Sequence, residues 1–116
     1  MQGDVLQKLH EVLLARKSAD GTKSYVASLY SKGTLHIAEK ILEEAQELID
    51  EALKLDQEPE NSKTREAFRQ ESADLLFHWL VLLAHHDIAP KDVLAILESR
   101  MGVSGHDEKA SRLPKG

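Results

Sequence analysis

A chain of 116 residues fills one domain: enough for a hydrophobic core, too little for a roomy enclosed pocket, so a second subunit is expected to complete any active site. Twenty acidic against fifteen basic residues leave a formal charge of −5, which argues against a nucleic-acid partner, since phosphate binders carry a basic excess. The absence of cysteine excludes disulfides and thiolate metal sites, although an anionic substrate stays open because bound cations can invert the local field.

Leu, Ala, Glu and Lys dominate and no stretch alternates with period two, so the chain reads as all-α over a single domain, 1–116. The opening "MQGDVLQKLHEVLLARK" lacks the charged-then-apolar order of a signal peptide, and Asp4 is placed as the cap of a first helix. That helix carries Val5, Leu6, Leu9, Val12 and Leu13 on one face and runs out near Arg16 and Lys17, where "SADG" breaks it. An amphipathic segment, "SYVASLYSKG", stops at Gly33. Thr34 is then read as the cap of a long helix whose stripe is Ala38, Ile41, Leu42, Ala45, Leu48, Ile49, Ala52 and Leu55.

"DQEPENS" (56–62) is the linker, and Ser62 or Thr64 is expected to open a fourth helix reaching about His86. Its apolar run from Leu75 to Ala84 falls far short of the roughly 20 residues that span a bilayer, which predicts a central, buried helix in a soluble cytoplasmic protein. Pro90 fits the first turn of a last helix ended by Gly102, and a polar tail (102–116) follows. The predicted architecture is a helical bundle of two long and two to three shorter helices, completed by homodimerisation.

Carboxylates stand on both long helices. At about 100° per residue, Glu44, Glu47 and Glu51 share a flank of the third helix, with Lys40 among them. Glu71 and Asp74 share a face of the fourth that continues into His78 and His85. Antiparallel packing would bring four carboxylates together, and like charges that close cannot all ionise without a cation. Mg²⁺, which takes oxygen ligands and keeps waters for substrate phosphates, answers that need. Taken alone, "EEAQELIDE" reads as a solvated face, but E-x-x-E paired with E-x-x-D beside apolar stripes is more specific than either half.

"EEAQE" (43–47) followed by "ESAD" (71–74) resembles the EExxE…ExxD signature of the all-α nucleoside triphosphate pyrophosphohydrolase superfamily. "SYVASLYSKG" (24–33), "IAEKILEEAQE" (37–47), residues 71–100 and the tail "SGHDEKASR" (104–112) resemble its phosphoribosyl-ATP pyrophosphatase branch, and together cover roughly residues 24–112. Leu42 departs from the branch, many of whose members have Gly there. The resemblance implies Mg²⁺-dependent hydrolysis of phosphoribosyl-ATP to phosphoribosyl-AMP and pyrophosphate, the second step of histidine biosynthesis. It further implies a cytoplasmic homodimer with sites near the subunit interface. The cyclohydrolase that often precedes this domain leaves no Cys or His cluster here, so a stand-alone pyrophosphatase is expected.

On that basis Glu44, Glu47, Glu71 and Asp74 are assigned as Mg²⁺ ligands, with Glu43 either a further ligand or the group that orients the attacking water. Lys40 is placed on substrate phosphate or in an i,i+4 pair with Glu44. Lys32, Lys109 and Arg112 match basic positions of the branch, so the tail either closes over substrate or stays solvated. Tyr25 is assigned to the core in preference to a base-stacking role, and His78 and His85 to hydrogen-bonded core positions in preference to ligation. Trp79 points away from the acids, toward core or dimer interface. Two other readings compete: a house-cleaning pyrophosphatase of the same superfamily, and a non-catalytic helical dimer whose acids serve solubility.

Overall fold

The helix-forming composition is expressed as five α-helices: α1 (Gln2–Ala15), α2 (Tyr25–Lys32), α3 (Thr34–Gln57), α4 (Ser62–His85) and α5 (Pro90–Ser99), with a 3₁₀ turn over Arg16–Ser18. The computed structural model describes residues 2–101, with side chains from Val5 onward. Lys109, Arg112 and the Gly102 stop lie outside the described residues, which contain no strand.

The helix ends correct two predicted caps, Asp4 and Thr34. α1 is already helical at Gln2, so Asp4 lies inside it and does not cap it. Gly33, at φ 92°, closes α2 by donating its N–H to Leu29 O at 3.0 Å and also begins α3. That backbone conformation suits glycine alone, so no side chain caps α3. Thr34, freed from capping, places Oγ1 3.1 Å from His86 Nε2. Ser62 opens α4 as expected, and Asn61 before it caps the helix by accepting the Thr64 N–H at 3.0 Å. α3 continues through Gln57, which shortens the linker to residues 58–61. Pro90 opens α5 as expected.

α3 and α4, 24 residues each, make the most extensive packing in the fold. They run antiparallel: Thr34 at the start of α3 meets His86 just past α4, Glu44 meets His78 midway, and Leu55 lies with Arg65 and Phe68 at the far end. α1 lies against α4 and α5, and α2 against α3. Their convergence forms one core of Leu13, Val26, Leu29, Ile37, Leu80, Val81 and Ala84. Burial at this scale contributes about 1.5–3 kcal/mol per large aliphatic side chain.

The core occupies one end of the hairpin. α4 is central only in its C-terminal half; one turn before Leu80, Leu76 is 43% exposed, which corrects the expectation of a helix buried throughout. Leu42, Ile49 and Leu53 on α3 are exposed as well. Beside them Ile41, Leu48, Ser72, Leu75, Leu76 and Trp79 line an apolar groove of about 540 Å³.

Candidate active site

The antiparallel register brings the middle of α3 against the first half of α4, and with it the acids of both helices. Glu44, Glu47 and Glu71 each present an oxygen within 4.8 Å of the others. Three carboxylates at that spacing repel strongly in a partly dry setting. Glu71 shows the consequence: the hydrogen bond it shares with Glu47, partial desolvation, and the charges of Glu47, Asp74 and Glu44 push its carboxyl up from 4.5 to about 7. Burial raises Glu44 too, with Asp74, Glu47 and Glu43 adding to it and His78 opposing.

Glu71 Oε2 is closed off from solvent, and beyond the hydrogen bond that Glu71 shares with Glu47 no donor reaches the carboxyl. An all-oxygen donor set, mutual repulsion and a buried carboxyl short of donors together fit a hard divalent cation held by Glu44, Glu47 and Glu71.

The remaining acids and bases take distinct places. Asp74 is exposed and stands outside the group of three, yet its charge bears on both Glu44 and Glu71. Glu43 is exposed, with Oε2 3.8 Å from Lys40 Nζ, so the carboxylate partner of Lys40 is Glu43 and not Glu44. Glu51 is drawn aside by Lys54, 3.1 Å away. Lys32 is exposed in the last turn of α2.

Two aromatic assignments change. Tyr25 is not a core residue: it is 53% exposed, at the edge of the acidic face. Its hydroxyl lies 2.8 Å from His78 Nε2, and its pKa is raised by burial of that end, with Lys40 opposing and Glu44, Glu43 and Asp74 adding. His85 does not continue the acidic face but stacks on Tyr30 at 5.6 Å between ring centroids. Burial, with His86 and Lys17 nearby, depresses its pKa. His78 alone stays with the acids, buried, with Nδ1 2.7 Å from Glu44 Oε1. A buried, hydrogen-bonded His78 is expected from the sequence, but its partners Glu44 and Tyr25 are not. Local spacing shows only that His78 follows Asp74 by one turn; Tyr25 is 53 residues away and arrives through tertiary packing.

Residues 6–101 match the family model described as phosphoribosyl-ATP pyrophosphohydrolase. Among curated proteins, a phosphoribosyl-ATP pyrophosphatase of Geobacter sulfurreducens is 50% identical over 109 residues, covering 94% of each chain. Its counterpart in Nitrosomonas eutropha is 45% identical over 93% of this chain and 86% of its own. One from Hydrogenovibrio crunogenus is 41% identical over 97% and 96% respectively.

Proposed function

Because this chain belongs to the phosphoribosyl-ATP pyrophosphohydrolase family, we propose that it hydrolyses phosphoribosyl-ATP to phosphoribosyl-AMP and pyrophosphate, the second step of histidine biosynthesis, in the cytoplasm and with Mg²⁺. As a member of that family the chain is a hydrolase. The observation that carries the reading is the meeting of Glu44, Glu47 and Glu71 across two helices inside a chain of this family.

The products require that the α–β phosphoanhydride bond break, with a water oxygen joining the phosphoryl group and pyrophosphate leaving. Such a displacement depends on charge neutralisation and in-line positioning more than on a covalent nucleophile. Glu44, Glu47 and Glu71 are the proposed cation ligands, with Asp74 as a fourth from one turn along α4. When bound, Mg²⁺ offsets triphosphate charge and polarises the attacked phosphoryl group. Glu43 either adds a ligand or orients the water. Lys40 and Lys32 face the substrate phosphates, and Lys109 and Arg112 are proposed to join them from the tail.

A second copy of this chain is the proposed occupant of the apolar groove beside the acids, since Leu48, Ser72 and Leu75 of its lining adjoin Glu47, Glu71 and Asp74 in sequence. The dimer then walls the site that one subunit leaves open.

Pyrophosphate release from phosphoribosyl-ATP by the purified chain tests the function. Turnover is expected with Mg²⁺, with ATP and dCTP much poorer substrates, and Glu47→Gln is expected to abolish it. Equal turnover of all three nucleotides would replace this reading with a house-cleaning one.

A further inference from the structure

The group that sets Glu44 in place is a histidine. His78 is 7% exposed, on the inward face of α4, and its ring makes contacts at both nitrogens. Nδ1 lies 2.7 Å from Glu44 Oε1 and 3.0 Å from the backbone oxygen of Asp74, one turn earlier on the same helix. Nε2 lies 2.8 Å from the Tyr25 hydroxyl. A carboxylate and a carbonyl only accept, so Nδ1 carries the proton; its one N–H is donated to the Asp74 carbonyl with Glu44 Oε1 in close contact beside it, and in the neutral ring Nε2 then accepts from the Tyr25 O–H.

The ring plane is fixed by more than these bonds. Phe77 and Tyr25 both meet it edge-on, at 5.3 and 5.9 Å between centroids. The Asp74 carbonyl ties it to the helix that also carries Glu71. A carboxylate with one oxygen 2.7 Å from an immobile ring loses freedom about its last torsion, so its remaining oxygen takes a defined direction. Glu44 is also the most enclosed acid of the pair on α3, with its side chain 13% exposed, whereas Glu47 is open to solvent.

We infer that His78, backed by Tyr25, is a positioning residue that orients the Glu44 carboxylate toward the cation shared with Glu47 and Glu71. The inference rests on the cation-site reading of those three acids. Groups that hydrogen-bond a ligating side chain typically contribute about 10–100-fold to metal affinity. His78 acts through Glu44 and touches neither cation nor substrate.

Mn²⁺ binding to the full chain, followed by electron paramagnetic resonance with helicity checked by circular dichroism, tests it without recourse to turnover. His78→Leu is expected to weaken Mn²⁺ about tenfold or more. His78→Asn, which returns an N–H donor near the Nδ1 position, is expected to recover most of that loss, a rescue that mere cavity filling by Leu does not provide. Tyr25→Phe removes one hydroxyl from a half-exposed ring and is expected to weaken Mn²⁺ by a smaller factor with the fold intact; it decides the matter if His78→Leu does not fold. Wild-type affinity in a folded His78→Leu, or in Tyr25→Phe if that variant must decide, overturns the inference. So does a His78→Asn no better than His78→Leu. Glu47→Gln and Glu71→Gln separate the two levels. If they abolish Mn²⁺ binding while the His78 variants leave it unchanged, only the positioning role falls. If they bind Mn²⁺ normally, the cation site falls and takes the positioning role with it.

Discussion

The two ends of the α3–α4 hairpin are built from similar residues and meet opposite fates. Near the start of α3, Ile37 is sealed by Leu80, Val81 and Ala84 of α4 together with Leu13 of α1 and Val26 and Leu29 of α2. Toward the linker, Leu42, Ile49, Leu53 and Leu76 carry the same apolar periodicity onto an open surface. The difference is coverage: α1 and α2 seal the first end, and beyond it α1 reaches only as far as the groove that Val5, Leu6 and Leu9 share with Ala73, Asp74 and Leu76. One end therefore holds the fold together and the other is left for association, while the acids and His78 sit where the two meet.

The contrast is broken most strongly by truncating one leucine at each end. Leu80→Ala, at a site 1% exposed, is expected to cost about 2–5 kcal/mol in urea unfolding. Leu53→Ala, at 58% exposure, is expected to change the stability of the isolated chain by less than about 0.5 kcal/mol. Equal losses would mean that the open end is covered within the single chain. At the boundary, Glu71→Gln is expected to lower pyrophosphate release about a hundredfold or more while helicity holds and the unfolding midpoint does not fall, since it removes a proposed ligand from an acid group that strains the fold.

Sedimentation sharpens the comparison at the open end. Leu76→Glu places a charge in the apolar groove, and the proposed dimer is expected to give way to monomer because an unpaired charge resists burial. An unchanged sedimentation coefficient would move the interface elsewhere. A smaller effect is expected at the hairpin tip, where Asn61→Ala removes the α4 cap at a cost of about 1 kcal/mol.

The last prediction concerns pH in metal-free protein. Glu71 has a folded pKa of about 7 against 4.5 for the free group, so between those values the native state holds a proton that the unfolded chain releases. Its contribution therefore turns unfavourable as pH rises from about 4.5 to about 7 and is flat beyond. Thermal melts across that window are expected to show the decline, and Glu71→Gln to remove it.

Much of this was legible in the sequence for a physical reason: apolar spacing and Gly or Pro punctuation act locally. The Gly33 break and Pro90 fall where expected, while the predicted stripe from Ala38 to Leu55 forms on α3 but leaves Leu42 and Ile49 exposed. Caps are misplaced at Asp4 and Thr34 because both have capping chemistry while lying inside the helices they were expected to precede. Wheel geometry groups Glu44, Glu47 and Glu51 on one helix and Glu71 with Asp74 on the other, and the fold selects Glu44, Glu47 and Glu71 from them; it also groups His78 with His85, which different neighbours then separate. Tyr25 was assigned to the core because an aromatic in an amphipathic helix usually packs inward; how α2 leans on α3 decides otherwise, and no local pattern encodes that.

Trp79 is the chain's single tryptophan, and it lines the apolar groove one residue past His78. Its indole fluorescence is therefore a built-in gauge: an emission maximum that shifts blue as protein concentration rises would measure self-association directly, with no label attached and no residue replaced.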